Sequence, residues 1–285
     1  MSFVLLSVIC SVLVSVLLKL TRAWRIDVGQ AIAWNYVVAG ALTAALLRPQ
    51  LDGLRETGVP WLALLALGVL LPTIFLALAA AVRHAGIVRS DAAQRLSLVL
   101  SLLAAFLLFG EQLTLAKTAG MTVGLAALLC MVWRAGVSAP GAGAATWFYP
   151  LLVFAGFGTI DILLKRVAAA GVPLGASLLG MFTLAMLVAF AMQGWRRARG
   201  STRFTLRNAV GGLLLGLLNF GNILFYLRGH QALPQHPALV FTSMNIGVVA
   251  LSAVVGLLLF RERLSALNLA GVALVVPAIA LLAAS

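Results

Sequence analysis

Long apolar runs separated by short polar segments dominate the chain. Each run is close to the length, about 20 residues, that an α-helix needs to cross the hydrocarbon core of a bilayer. A helix satisfies its own backbone hydrogen bonds in lipid, so this pattern predicts membrane-spanning helices. Ten candidates follow, at roughly Ser2–Leu20, Ala31–Leu47, Trp61–Val82, Ala92–Phe109, Leu113–Trp133, Trp147–Leu164, Leu174–Met192, Ala209–Leu227, Ala238–Phe260 and Ala266–Ala284.

The longest polar break divides the chain nearly in half. Residues 135–146 are rich in Gly, Ala, Ser and Pro, so we expect a linker there, between a first five-helix repeat (1–134) and a second (147–285). Shifted by 151 positions, Leu100–Gly120 matches Leu251–Gly271 at nine of 21 positions. An odd number of helices in each repeat reverses the direction of the second, which predicts a 5+5 inverted repeat, a design of secondary transporters.

Composition supports the membrane interpretation. The 285 residues are 63% hydrophobic and 9% charged, whereas soluble domains are about 45–50% apolar and about 25% charged. Disorder is excluded because it requires low hydrophobicity and high charge. We therefore predict an all-α integral membrane protein with ten transmembrane helices, with no room for a soluble catalytic domain.

The charge is strongly basic, with 20 Lys and Arg against seven Asp and Glu, or +13. The basic residues are scattered between apolar runs, apart from one basic cluster at Arg196, Arg197, Arg199, Arg203 and Arg207. We interpret them as topology signals and surface anchors and not as a nucleic-acid site. The two cysteines, Cys10 and Cys130, lie in separate apolar runs. No metal site and no cofactor is expected.

GxxxG pairs, at Gly120/Gly124 and Gly212/Gly216, are typical of close helix packing, and they suggest a homodimer through the helices that carry them.

One signature recurs in both halves. Phe109 and Glu111 in the first half correspond to Phe260 and Glu262 in the second, in the pattern phenylalanine, any residue, glutamate. With the ten helices and the 5+5 repeat, this signature resembles the drug/metabolite transporter superfamily, most closely its EamA-like ten-helix carriers. The resemblance implies a carrier and not an enzyme, and it does not indicate the substrate.

The orientation of the termini stays open. Loops on one side hold 13 Lys and Arg against six on the other, which favours termini outside the cytoplasm, whereas the family resemblance implies termini inside.

Polar side chains at membrane depth carry most of the functional information, because they are costly there. Arg95 is suited to a carboxylate or phosphate group. The substrate-binding candidates are Gln94, Arg95, Asn219, Asn222, Tyr226, Asn245, Asn35 and Tyr36. The alternative for the amides is interhelical hydrogen bonding. The row Ser7, Ser11 and Ser15 is expected to bond back to its own helix.

Three charged residues are candidates for coupling. Asp161 lies four residues before Lys165, the favourable acid-then-base order on a helix, and Lys19 occupies the position in the first half that corresponds to Lys165. The alternatives are a structural ion pair for Asp161 and lysines that reach the membrane surface.

The sequence thus predicts a multi-pass protein of the cell (inner or plasma) membrane. It would move a small polar metabolite, an amino acid or similar organic anion or zwitterion, by alternating access. A multidrug or cation exporter and a lipid-carrier flippase are the alternatives within transport. An intramembrane enzyme is disfavoured, because the three His and seven acids are dispersed.

Overall fold

The computed structural model describes residues 2–50, 58–97, 99–100, 103–104, 115–132, 144–232, 237–261 and 265–283. Within these ranges the chain forms ten α-helices and no strand. The helices are α1 Ser2–Leu20, α2 Val28–Leu42, α3 Trp61–Ala85, α4 Ile87–Leu96, α5 Leu115–Val132, α6 Ala145–Ala169, α7 Leu174–Ala198, α8 Leu206–Ala232, α9 Pro237–Phe260 and α10 Ala266–Ala283. A π-helical turn, Thr43–Leu47, extends α2.

The all-helical prediction is confirmed for the described residues, and the chain is a multi-pass membrane protein by the apolar character of its helices. Six of the described helical segments are long and apolar enough to cross a membrane: Ser2–Leu20, Val28–Leu47, Trp61–Ala85, Ala145–Leu164, Leu174–Ala198 and Leu206–Gly229. The count of ten spans and the 5+5 repeat stay predictions. Glu111, Glu262 and most of the predicted linker lie outside the described residues.

The start of the fourth helix differs from the prediction. Hydropathy placed it at Ala92, whereas α4 begins at Ile87. Gly86 has a φ of 93°, a conformation that L side chains rarely adopt, and it allows the chain to turn directly from α3 into α4. Residues 89–91 are polar, so a hydropathy pattern leaves them out of the apolar helix. In the structure their side chains make hydrogen bonds within the protein, and these residues are helical.

The chain divides into two compact units. The first unit comprises Met1–Val16, Ala77–Gly158 and Gly221–Ser285, and the second comprises Leu17–Leu76 and Thr159–Phe220. Each unit contains segments from both predicted repeats. The division into repeats at the linker therefore stays a prediction that the compact units do not test.

Packing within the first unit centres on helices from both halves of the sequence. Val8 and Val12 of α1 form a buried apolar cluster with Met244 and Val248 of α9. In the same unit α4 packs on α9, and α5 packs on α10.

Packing within the second unit relies on glycine. A Cβ atom at Gly212 would lie 2.5 Å from the carbonyl oxygen of Ala31, and one at Gly216 would lie 2.7 Å from that of Asn35. This GxxxG pair therefore packs α8 directly on the backbone of α2, as expected for such motifs. A homodimer through the GxxxG-bearing helices stays a prediction, and on α8 it would have to use a face other than this one.

Candidate functional site

A buried carboxylate lies at the centre of a polar cluster in the first unit. Asp91, in the second turn of α4, is 1% exposed. Its Oδ1 accepts a hydrogen bond from the Ser15 hydroxyl of α1 at 2.6 Å, and its Oδ2 accepts one from the Ser252 hydroxyl of α9. One carboxylate thus connects α4 to a helix from each half of the sequence.

The guanidinium of Arg95 lies one helical turn after Asp91. Its Nη2 donates to the Ser11 hydroxyl of α1 at 2.6 Å. Arg95 is half-buried. The cluster therefore combines an acid and a base on α4 with hydroxyl groups of α1, in surroundings where an isolated charge would be costly.

The contacts to Asp91 and Arg95 come from one face of α1, which carries the row Ser7, Ser11 and Ser15. The expectation that these serines bond back to their own helix is wrong for Ser7 and Ser15. Ser7 donates to the backbone oxygen of Asn222 at 2.9 Å and to its Oδ1 at 2.8 Å, whereas Ser15 donates to Asp91. Serines four residues apart fall on one helical face, and this spacing was the sequence signal for an interhelical polar row.

The first unit holds four further candidates, Asn222, Tyr226, Asn245 and Gln94. Ser7 also lies 3.4 Å from the Sδ of Met244, and Tyr226 packs against the apolar cluster of α1 and α9. Asn245 is 6% exposed on α9, and Gln94 is half-buried on α4. The structure thus connects Arg95, Asn222 and Tyr226 to residues of α1 or to the cluster beside it.

Three predicted residues, Asn35, Tyr36 and Asn219, lie in the second unit. The Nδ2 of Asn219 donates to the Oδ1 of Asn35 at 3.2 Å. The ring of Tyr36 is buried between Phe75 and Phe182, with centroid distances of 6.5 and 6.1 Å. Among the described residues, the Asn35 Nδ2 and the Tyr36 hydroxyl have no hydrogen-bond partner. Buried polar atoms of this kind need an explanation, and a bound ligand or water is one.

The coupling candidates also belong to the second unit. Asp161 and Lys19 are half-buried, and each takes part in an interaction. Lys165 lies in α6, but its side chain is outside the described residues. The ion pair between Asp161 and Lys165 therefore stays a prediction.

The sequence reasoning missed an ion-pair network at the start of α2. Asp27 caps this helix by accepting from the Gln30 amide, and the Arg196 guanidinium donates to both of its carboxylate oxygens at 2.8 Å. Burial by itself would raise the pKa of Asp27, but the hydrogen bonds and positive charge of Arg196, with the Gln30 amide and the Thr202 hydroxyl, leave that pKa below its usual value. The signal was present: an acid followed three residues later by Gln, ahead of an apolar run, is close to a capping box.

The network extends along the loop that joins α7 to α8. Gln30 donates to the Thr202 hydroxyl at 2.6 Å and to the Arg203 carbonyl at 2.9 Å, while its own side-chain oxygen accepts from Asn208 at 2.9 Å. The loop between α7 and α8, which carries Arg199 and Arg203, is therefore held to the start of α2 by side-chain hydrogen bonds. No group of three or more His, Cys, Asp or Glu in the described ranges is arranged to hold a metal ion.

This chain is similar to a family model, to a curated relative and to a solved structure. The model of the EamA-like transporter family matches residues 1–133. An uncharacterized protein of Haemophilus influenzae is 43% identical over 278 residues, which cover 93% of this chain and 92% of that protein. A crystal structure of a protein with 19% sequence identity matches 98% of this chain and 96% of its own, with a TM-score of 0.56. This last likeness shows a shared fold alone.

Proposed function

Because the chain belongs to the EamA-like transporter family, which is part of the drug/metabolite transporter superfamily, we propose that it is a secondary transporter for a small polar metabolite. The favoured substrate is an amino acid or a similar organic anion or zwitterion, moved across the cell (inner or plasma) membrane. It acts as a carrier and not as an enzyme, and it needs no cofactor.

The observation that carries this proposal is the polar cluster on α4. Asp91 and Arg95 are one turn apart, buried or half-buried, and surrounded by hydroxyl groups from apolar helices. Ionisable groups inside a membrane protein mark substrate or ion pathways by default. An acid and a guanidinium within one cluster offer complementary partners for the ammonium and the carboxylate of a zwitterion.

Helix packing supports alternating access between inverted repeats. The predicted repeat makes α4 equivalent to α9, α5 to α10, and α2 to α7. These are pairs that pack together, the first two within the first unit and the third within the second. A pseudo-two-fold axis brings equivalent elements into contact with each other, as in a symmetric interface. The carrier would expose its site alternately as these paired helices move apart on one side.

The remaining candidates take secondary roles in this proposal. Gln94, Asn222, Tyr226 and Asn245 would supply hydrogen bonds and a ring around the substrate in the first unit. Asn35, Tyr36 and Asn219 would contribute further polar contacts. The buried Asn35 Nδ2 and Tyr36 hydroxyl, which have no hydrogen-bond partner among the described residues, would bind the substrate or a water molecule. Asp161, with Lys165 and Lys19, would take part in coupling.

A thermal-shift panel tests the substrate class. The purified protein in detergent is heated with amino acids, dicarboxylates, cationic drugs and a polyprenyl phosphate. A ligand at about 100 times its dissociation constant adds about 2.7 kcal/mol to apparent stability. We expect an amino acid or organic anion to raise the melting temperature.

Matched variants on α4 locate the site. Arg95→Gln should abolish that rise, whereas Arg89→Gln should retain it, because the guanidinium of Arg89 donates to Asn268 on α10. A shift only with cationic drugs would replace the proposal by the multidrug exporter, and a shift only with the polyprenyl phosphate would replace it by the lipid-carrier flippase.

A further inference from the structure

Arginines are concentrated around the start of α2 in the second unit. They lie in the turn between α1 and α2, in the last turn of α7, in the α7–α8 loop and at the start of α8. Asp27 is the only acid within residues 20–30 and 190–210, and it pairs with Arg196. Seven arginines against one aspartate leave six positive charges unbalanced. The six arginines besides Arg196 are exposed, and together they form what we call the arginine surface: Arg22, Arg25, Arg197, Arg199, Arg203 and Arg207.

Hydrogen bonds bring the two connections that carry these arginines together. The backbone amide of Asp27 donates to the Oδ1 of Asn208 at 2.9 Å. The Nη1 of Arg207 donates to the carbonyl oxygen of Trp24 at 3.3 Å, and Gln30 binds the α7–α8 loop as described above. The α1–α2 turn and the α7–α8 loop are therefore adjacent, so arginines that are far apart in sequence share one surface.

The end of α7 fixes the start of the α7–α8 loop. The Gly200 amide donates to the Arg197 carbonyl and the Ser201 amide donates to the Arg196 carbonyl, both at 2.9 Å. With a φ of 71° at Gly200, these two bonds form a Schellman motif, a common helix ending that uses glycine in the left-handed conformation. A loop that is held before it binds a ligand loses less conformational entropy on binding.

Exposed aromatic rings lie among the arginines. The guanidinium carbon of Arg199 lies 4.3 Å from the ring centroid of Trp195, and that of Arg197 lies 5.8 Å from the ring centroid of Phe204. Both rings are exposed, as is that of Trp24 in the α1–α2 turn. Aromatic and basic side chains at the ends of apolar helices are typical of the level of the lipid headgroups, and both α2 and α7 are long and apolar enough to cross a membrane.

We propose that the arginine surface binds the headgroups of anionic phospholipids, such as phosphatidylglycerol, in the leaflet that it faces. A guanidinium donates two parallel hydrogen bonds to phosphate oxygens and carries the complementary charge. Basic residues next to a membrane-spanning helix are attracted to anionic lipids. The exposed rings favour a lipid over a nucleic acid, because they place the surface at the membrane. Lipid binding does not require the proposed transport function, so either proposal can fail without the other.

Native mass spectrometry of the full chain in a neutral detergent tests the proposal. Phosphatidylglycerol is titrated in and its dissociation constant is compared with those of phosphatidylcholine, glycerol 3-phosphate and a short DNA oligonucleotide. We expect phosphatidylglycerol to bind most tightly. Equal binding of phosphatidylcholine would overturn recognition of the charged headgroup. Equal binding of glycerol 3-phosphate would show a site for free phosphate, and tighter binding of the oligonucleotide would replace the lipid by a nucleic acid.

Two matched pairs of substitutions locate the binding surface. About 1 kcal/mol per basic residue near the membrane corresponds to about a fivefold change in the dissociation constant. Arg22→Gln with Arg203→Gln should therefore weaken phosphatidylglycerol binding about 25-fold. Arg48→Gln with Arg166→Gln removes the same charge from exposed positions elsewhere, at the opposite end of α2 and ahead of the start of α7, and it should have little effect. Equal weakening in the two pairs would overturn the proposal.

A third variant should bind the lipid more tightly, which damage to the fold would not produce. Asp27→Asn removes the one negative charge beside the arginine surface and releases Arg196 from its carboxylate partner. We expect this variant to bind phosphatidylglycerol about fivefold more tightly than the wild type, even though the loss of the ion pair makes it less stable without lipid. Unchanged or weaker binding of phosphatidylglycerol by Asp27→Asn would contradict recognition through the charge of this surface.

Discussion

The ion pair between Asp27 and Arg196 allows a quantitative test of how the start of α2 is held. The two side chains are 22% and 38% exposed, so much of their attraction is screened by solvent. Partly exposed pairs contribute about 0.2–1 kcal/mol, and two parallel bonds at 2.8 Å place this one near the upper limit. The helix cap made by the same carboxylate adds about 1 kcal/mol.

Two substitutions of Asp27 separate these contributions. Asp27→Asn keeps a capping side chain and loses the charge, so it should cost about 1 kcal/mol. Asp27→Ala loses both functions and should cost about 2 kcal/mol. Since 1 kcal/mol shifts the melting temperature by about 2–4 °C in chains of 150–250 residues, thermal unfolding in detergent, followed by tryptophan fluorescence, can resolve the two variants.

A double-mutant cycle isolates the pair itself. Asp27→Asn combined with Arg196→Gln should be about 1 kcal/mol less destabilised than the sum of the single variants. Arg199→Gln is the matched control from the same basic cluster, because its guanidinium stacks on the ring of Trp195, 4.3 Å from the ring centroid, and not on Asp27. Additive effects of the two substitutions would refute the ion pair as a stabilising contact.

The pH dependence of this pair has a definite sign. The pKa of Asp27 is lower in the folded protein than its usual value. The stabilisation is therefore fully present above the unfolded pKa, about 3.9, and is lost as the pH falls through the lower folded value. The stability difference between the wild type and Asp27→Asn should be constant above about pH 5 and disappear in strong acid. A difference that grows on acidification would contradict the assignment.

Three further predictions follow from single positions. Gly216→Ala should lower the melting temperature, at a cost of about 1–3 kcal/mol, because its Cβ would lie 2.7 Å from the Asn35 carbonyl oxygen; Gly194→Ala, with nothing within 4 Å, should be neutral or slightly stabilising. Tyr36→Phe should leave thermal stability nearly unchanged, because its buried hydroxyl has no partner among the described residues; weaker substrate binding without loss of stability would identify that hydroxyl as a ligand contact, and a large loss of stability would show a structural bond. Asp161→Asn should abolish pH-driven uptake in proteoliposomes and leave counterflow exchange if Asp161 takes part in coupling, whereas loss of both activities with an unstable protein would support a structural ion pair.

The sequence by itself determined the class of the protein. Apolar runs of helical length specify all-helical structure, because lipid forces each segment to satisfy its own backbone hydrogen bonds. This constraint acts locally, and most of the ten helices lie close to the predicted bounds; α1 has the predicted bounds, Ser2–Leu20. The GxxxG pair at Gly212 and Gly216 also has a local signature, and its role in close packing could be predicted without a fold.

Only the tertiary structure decided which polar groups meet. The sequence places Asp91 on one polar face of the fourth predicted helix with Gln94, but it cannot show that Ser15 and Ser252, 76 and 161 positions away, donate to it. Sequence reasoning also missed the pairing of Asp27 with Arg196, because 169 positions separate the two residues. A buried charge is tolerated only where distant side chains supply its hydrogen bonds, so its position depends on the packing of helices and not on the local pattern of residues.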